Sequence, residues 1–282
     1  MKRTAMLAVI AGIVLARLAA PAQTPATAAK PQTAAQPTGR APVQAKTQEE
    51  FQAYQLAVAN AQNPAAMEKA ADDFAAKYPA SDLRVLLYRT AMQSYQNTGT
   101  SPKMLEMGQK VLTIDKDDPD ALVTVAEILD EQTSSSDVDK DQRTTQAVAY
   151  AQHALETIDT DLAVPAGSAP DKVEAYKRYL RTTALSTIGT IQYKRAQYPD
   201  AEATLRKAVD ADPANPDPVV ILRLALALDQ QQKYPEALQQ AKRAVELTQD
   251  NTDEGKMARN ERDRLVIETG GSTSPAPAPA SH

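Results

Sequence analysis

The amino-acid sequence predicts an all-α fold, a solenoid of about five helix-turn-helix repeats closed by a C-terminal capping helix. Three observations predict it. Apolar residues recur at helical spacing throughout residues 47–269, with no convincing run of alternating apolar and polar positions. Tyr198-Pro199-Asp200-Ala201 recurs as Tyr234-Pro235-Glu236-Ala237, 36 residues later, and the same offset superposes Lys207-Ala208-Val209-Asp210 on Arg243-Ala244-Val245-Glu246. The composition is that of a helix-leaning soluble chain, 43% hydrophobic but only 4% aromatic, with a mean hydropathy of −0.44.

The ends are set apart first. Lys2 and Arg3, an apolar run from Ala5 to Ala16 and the small residues Ala20-Pro21-Ala22 make residues 1–22 a secretory signal peptide, with an uncleaved anchor as the alternative. Cleavage would remove Lys2, Arg3 and Arg17 and take the formal charge from −5 to −8. An exported acidic chain without a broad basic surface is a poor candidate for binding nucleic acid. The absence of Cys excludes lipidation, disulfide frameworks, thiol catalysis and Cys-based metal sites, and two His exclude sites built on several imidazoles. Residues 23–46 are Pro, Ala, Thr and Gln with almost no large apolar side chain, and 270–282 are similar, so both read as disordered tethers. Residues 47–269 remain as the solenoid domain.

Within it, Thr47-Gln48-Glu49-Glu50 is a capping box opening a helix with Phe51, Tyr54 and Val58 on one face. Asn63-Pro64 opens the next, whose stripe is Met67, Ala70, Ala71, Phe74 and Tyr78 before Pro79 stops it. Tyr88, Ala91, Met92 and Tyr95, then Val111 and Ile114 behind a start at Ser101-Pro102, form another unit. After the turn Asp117-Asp118-Pro119-Asp120, Leu122, Val125, Ala126 and Leu129 pair with Ala147, Ala151 and Ala154. The polar stretch between Gln132 and Arg143 stands where a tight turn is expected and reads as a protruding loop. A long helix opens at Ser168, a capping position, and runs to Arg195, with Tyr176 and Tyr179 on extra turns that overhang the stack. Thr252, with Asp253 and Glu254, opens a last helix that buries Met257, Ala258 and Leu265 as an end cap.

In the most regular unit, Leu185, Ile188, Gly189, Tyr198, Ala201, Leu205, Ala208 and Pro213 stand at the spaced positions of the tetratricopeptide repeat, which this sequence resembles. Ile221, Leu224, Ala225, Leu228, Tyr234, Ala237, Ala241, Ala244 and Leu247 follow in the next. Gln192 departs where a Tyr is usual. Gly189, Ala201 and Ala208 lack bulk, so the two helices of a repeat can approach closely there. The resemblance covers nearly all of residues 47–269, least at the first pair, and implies a right-handed superhelix whose first helices line a groove. Continuing the register, that groove presents Arg89, Gln93 and Gln96, then Glu127 and Asp130, then Thr187, Thr190, Tyr193 and Lys194, then Arg223 and Asp229. Such residues suit an extended or helical peptide. The Lys and Asn by which some family members clamp a terminal carboxylate are absent, because Ser186 and Thr190 stand there in one copy and Arg89 and Gln93 in another.

Other candidates are weaker. Asp137, Asp139 and Asp141 have calcium-loop spacing, but Gln142 replaces the turn glycine and Val148 the bidentate Glu. Asp115, Asp117, Asp118 and Asp120 are ordinary punctuation between repeats. His153 is a single imidazole on a second helix, expected at the surface. Tyr176-Lys177-Arg178-Tyr179-Leu180-Arg181 mixes aromatic and basic residues that could grip an anionic partner, or simply pack and solvate. No phosphate loop, nucleophile elbow or paired-His helix is present. The sequence therefore reads as a non-catalytic adaptor or scaffold with no metal and no cofactor, exported to the periplasm of a Gram-negative bacterium or beyond it. It would bind a protein or peptide through the groove. One alternative is an accessory of a cell-envelope assembly acting through the convex face or Tyr176 and Tyr179; another is an enzyme with an acidic site in the inserted loop.

Overall fold

The computed structural model describes residues 43–165 and 167–270. The signal peptide at 1–22, most of the 23–46 linker and residues 271–282 of the tail lie outside the described residues. Among the described residues the chain forms eleven α-helices and no strand: α1 (Gln48–Val58), α2 (Pro64–Lys77), α3 (Leu83–Thr98), α4 (Ser101–Ile114), α5 (Pro119–Glu131), α6 (Lys140–Thr157), α7 (Pro170–Lys194), α8 (Tyr198–Ala211), α9 (Pro218–Asp229), α10 (Tyr234–Glu246) and α11 (Asp253–Glu268). In chain order these are five helix pairs and a final helix, as the periodicity predicts. Two compact units divide them: of the described residues, one holds those through Pro119 with Glu156–Lys177, the other Asp120–Leu155 with those from Arg178 through 270.

Helix starts follow local chemistry. Asn63 accepts the Ala66 N–H at 3.1 Å, Thr252 accepts that of Gly255 at 3.0 Å, and Thr47 accepts that of Glu50 at 3.1 Å, each satisfying a donor that the first turn leaves free. The capping box at Thr47 is shifted, since the buried Glu50 carboxylate accepts the N–H of Lys46 at 2.6 Å. Burial raises the Glu50 pKa, but hydrogen bonds from Ser81 and the backbone of Lys46 and Thr47 outweigh it and hold the carboxyl below its ordinary range. Ser168 does not cap α7. Its hydroxyl donates back to the Pro165 carbonyl at 2.8 Å, and the helix begins at Pro170.

In the first unit α1 packs on α2 and α3, α2 on α3 and α3 on α4, the neighbour-to-neighbour contact of a solenoid. Met67, Ala71 and Leu87 are fully buried between these helices with Met107 and Val111. The stripe predicted for α1 is only half-buried, and Ala57 and Glu50 are its buried residues. In the second unit α8 meets α9, α9 meets α10, and α11 lies on both α9 and α10. One core there holds Ala201, Leu205, Ala208, Leu224, Ala225, Leu228, Ala237, Ala241 and Leu265. A Cβ at Gly189 of α7 would stand 2.7 Å from Leu205 Cγ, so the two helices lie at a separation that excludes any side chain at that point. Two predicted core residues are not in the core. Met257 is 55% exposed on the outer side of α11, and Leu247, the C-cap of α10, is 44% exposed.

The turn inside three repeats is one structure built three times. Gly99, Ala196 and Gln232 each stand two residues before the second helix, in left-handed backbone at φ 68°, 56° and 59°. The following residue closes each turn on a carbonyl five residues back: Thr100 on Tyr95, Gln197 on Gln192 and Lys233 on Leu228, at 3.1, 2.9 and 3.0 Å. Pro102, Pro199 and Pro235 then occupy the first turn of α4, α8 and α10, where a missing N–H costs nothing. Only one of the three left-handed sites has the glycine that suits it. Ala196→Gly and Gln232→Gly are each expected to stabilise the chain by roughly 0.5–1 kcal/mol, the relief of strain exceeding the added unfolded-chain entropy. A higher urea midpoint checks this; an unchanged or lower one would show that the turns hold no strain.

Candidate protein-interaction face

In the first unit the groove residues come from α3. Gln93 and Gln96 are half-buried at its surface. Arg89 is drawn inward, its side chain 11% exposed, where the guanidinium donates to the carboxylate of Asp118, which has no exposure at all. The acidic turn before α5 is therefore an anchor for α3. On the second helices of this unit lies a network that the sequence pattern does not reveal. Lys103 of α4 donates to Glu68 of α2 at 2.8 Å and to Glu106 at 2.9 Å, and Lys110 donates to Asp72 at 2.8 Å. Tyr95 and Tyr88 of α3 donate their hydroxyls to Glu68 and Asp72. Burial and the Glu68 carboxylate push the Tyr95 phenol up to about 12, so it stays a donor at all physiological pH.

In the second unit the predicted face belongs to α5, α7 and α9, and it is stitched helix to helix. Asp130 of α5 is buried and accepts from Lys194 of α7 at 2.7 Å, while the Lys194 side chain remains 46% exposed. Arg223 of α9 donates to the buried Ser186 hydroxyl of α7 at 2.9 Å. Asp229 of α9 pairs with Arg264 of α11 at 2.5 Å, and Arg264 also bonds Glu261 at 2.9 Å. Hydrogen bonds to Glu261 and Asp229 raise the Arg264 pKa further, so that charge is permanent. Tyr193 packs edge-on against Tyr198, ring centroids 5.5 Å apart, and burial with the neighbouring Tyr198, Asp229 and Glu261 raises its pKa. Thr187 and Thr190 are buried and donate to Thr183 O and Ser186 O one turn back, at 3.0 and 2.7 Å. Their hydroxyls are engaged along their own helix. Glu127 is half-buried on α5.

The first turns of α7 do not stand clear of the protein. Lys177 is 2% exposed and pairs with Asp159 at 3.4 Å and Glu174 at 3.3 Å within the first unit, and Tyr176 is half-buried. Tyr179 is 40% exposed. In the inserted loop, Asp137 accepts the Ser134 N–H at 2.8 Å and faces Arg143 at 3.5 Å, a loop-closing arrangement. Sequence reasoning passes over Ser186, Arg264 and Asp118 as partners of the face. Only Asp118 carries a signal, its place before a proline at a helix start. Asp217-Pro218 shares that signal, with Asp217 accepting the Val219 N–H at 2.8 Å to cap α9. Among the described residues no helix is long and apolar enough to cross a membrane.

No family model matches the chain, and no curated protein matches it. Among solved structures it is similar to TTC0263, a thermophilic TPR protein in Thermus thermophilus, at 17% identity over 78% of this chain and 98% of that one, TM-score 0.42. It is similar also to the MamA RS-1 ArsTM double mutant, at 19% identity over 66% of this chain and 94% of that one, TM-score 0.41. At such TM-scores neither likeness bears on function, and the repeat architecture rests on this chain's own helix pairs.

Proposed function

We propose that the chain is a non-catalytic adaptor that holds a partner polypeptide along the first helices of its repeats. The observation that carries this reading is the pairing of Lys194 with Asp130. A cation left 46% exposed is positioned by a counter-ion whose side chain is 8% exposed, so the charge is presented without being free to wander. Arg223, which donates to the buried Ser186 hydroxyl, is a second positioned donor on the next repeat. Fixed donors at the pitch of the helices suit a partner that offers carbonyls or carboxylates at intervals, and their immobilisation is already made before binding. In the first unit Gln93 and Gln96 offer neutral donors and acceptors on the equivalent helix. Export through residues 1–22 would place this binding in the periplasm or outside the cell. A second reading, an envelope-assembly accessory acting through α7, is favoured by the exposed Tyr179 ring.

A photo-crosslinking amino acid placed singly at Gln93, Lys194, Tyr179 or Lys242 separates the two in the native cell. Lys242 lies exposed on α10, away from the proposed face, and serves as the control. Crosslinks to one protein from Gln93 and Lys194 are expected, with none from Lys242. Crosslinks from Tyr179 alone would favour the second reading, and none from any position would sink the adaptor reading.

A further inference from the structure

We infer that residues 43–47 form a strap that fixes where the N-terminal segment joins the first unit, with Glu50 as a lock that acid opens. The strap precedes α1 and runs onto the turn between α2 and α3. Lys46 Nζ donates to the Ala80 carbonyl at 2.7 Å, and the Lys46 N–H donates to Glu50 Oε2 at 2.6 Å. Val43 and Ala45 are half-buried while Gln44 and Lys46 are exposed, the alternation of an extended chain with one side against the protein. Residues 43–46 therefore belong to the folded unit, where composition alone assigns them to the linker.

The lock is built around one carboxylate. Glu50 and Ser81 are each 3% exposed. The Ser81 hydroxyl accepts the Leu83 N–H at 3.1 Å, which leaves its own proton for Glu50. Glu50 thus draws one donor from the strap and another from the α2–α3 turn. Hydrogen bonds to an ionised acceptor are roughly twice as strong as neutral ones, so a proton on Glu50 weakens both attachments at once. The charged group that acts on this carboxylate is Lys46 of the strap itself. Those on the surrounding elements are directed elsewhere: Glu49 of α1 and Asp82 before α3 are exposed, Arg84 of α3 donates its Nε to the Ser81 carbonyl at 2.7 Å, and Lys77 of α2 lies over the Tyr78 ring. Burial opposes ionisation, but the hydrogen bonds hold the carboxyl below its ordinary range. A carboxyl depressed in the folded chain contributes fully at neutral pH, and the contribution is lost as pH falls through the folded value, below about pH 4. Opening frees residues 43–47, roughly 17 Å of extra reach for the segment before them.

The chain contains no Cys, so a nitroxide on Gln44→Cys reports the strap alone. In the full chain at neutral pH its spectrum is expected to show slow motion, and a fast component should replace at least about half of it by about pH 3.5 while circular dichroism still shows intact helices. The helix signal is needed because Glu68 and Glu202, also held below their ordinary range, lose their contributions over a similar span. Glu50→Gln should give the fast component already at neutral pH, with no further change on acidification, because its amide sets an N–H against one of the two donors. Lys46→Met keeps the backbone donor and loses the Ala80 contact, so it should roughly double the fast fraction at neutral pH, and it decides the matter should Glu50→Gln fail to fold. A folded variant as slow as the parent at neutral pH would overturn the inference. So would a parent strap that loosens only together with loss of the helix signal.

Discussion

Asp118→Ala is expected to lower the free energy of unfolding by about 3–5 kcal/mol, the cost of breaking a buried ion pair by removing one of its members. Arg89, its side chain 11% exposed, reaches from α3 to a carboxylate with no solvent exposure, so the pair is held almost wholly out of water. The loss should appear as a lower urea midpoint by circular dichroism and as faster amide exchange in α3. Replacing both partners with apolar residues of similar volume, Arg89→Met with Asp118→Leu, should recover most of it, because the double variant buries no unpaired charge. A single variant within about 1 kcal/mol of the parent would show that the pair does not hold α3 in place. The result bears on function too. Arg89 belongs to the predicted binding face, so a charge reversal there tests folding before it tests recognition.

Gly189→Ala is expected to destabilise the native chain and to stabilise a chain already carrying Leu205→Ala. The added methyl would meet Leu205 Cγ at 2.7 Å and Cδ2 at 2.9 Å, and Leu205 is wholly buried, with little room to yield. Overpacking of this kind costs about 1–3 kcal/mol, whereas alanine is the better helix former by about 1 kcal/mol. Leu205→Ala alone should cost about 2–5 kcal/mol through lost burial and the cavity left behind. In that background the obstructing atoms are gone and only the helix preference remains, so the sign reverses. A double-mutant cycle from urea denaturation measures the coupling, expected on the order of 1–2 kcal/mol. Additive effects would mean that α7 and α8 adjust their separation freely, and that glycine is not what sets their approach.

How far these residues can be read in advance depends on the range of the interaction. Asn63, Thr47 and Thr252 are legible because a cap bonds a donor two or three residues away, and no distant contact competes for it. Tyr198 and Tyr234 are legible for a related reason: a repeat must bury the same face against its neighbour each time, which leaves small residues at Ala201 and Ala237 in step. Ser168 is the exception among the caps, because its hydroxyl has both a carbonyl and amides within local reach, and the turn at Pro165 wins.

The polar residues of the face divide differently. Their helices and their register are open to periodicity, but whether a side chain faces solvent or a partner is not. Asp130 and Lys194 are 64 residues apart, Arg223 and Ser186 37, and Arg89 and Asp118 29. No local spacing encodes such meetings. Thr187 and Thr190 have the register of groove contacts, yet burial turns their hydroxyls onto the backbone. Met257 goes the other way, since the helix period alone cannot say which side of a terminal helix has a neighbour.

The chain order of residues thus settles the helices, their caps and the repeat, because those rest on contacts within a turn or at a constant offset. Packing settles which charges are spent inside the protein and which apolar residues remain outside. Burial is a property of neighbours brought together by the fold, and a charge excluded from water must find its partner wherever the stacked helices deliver one.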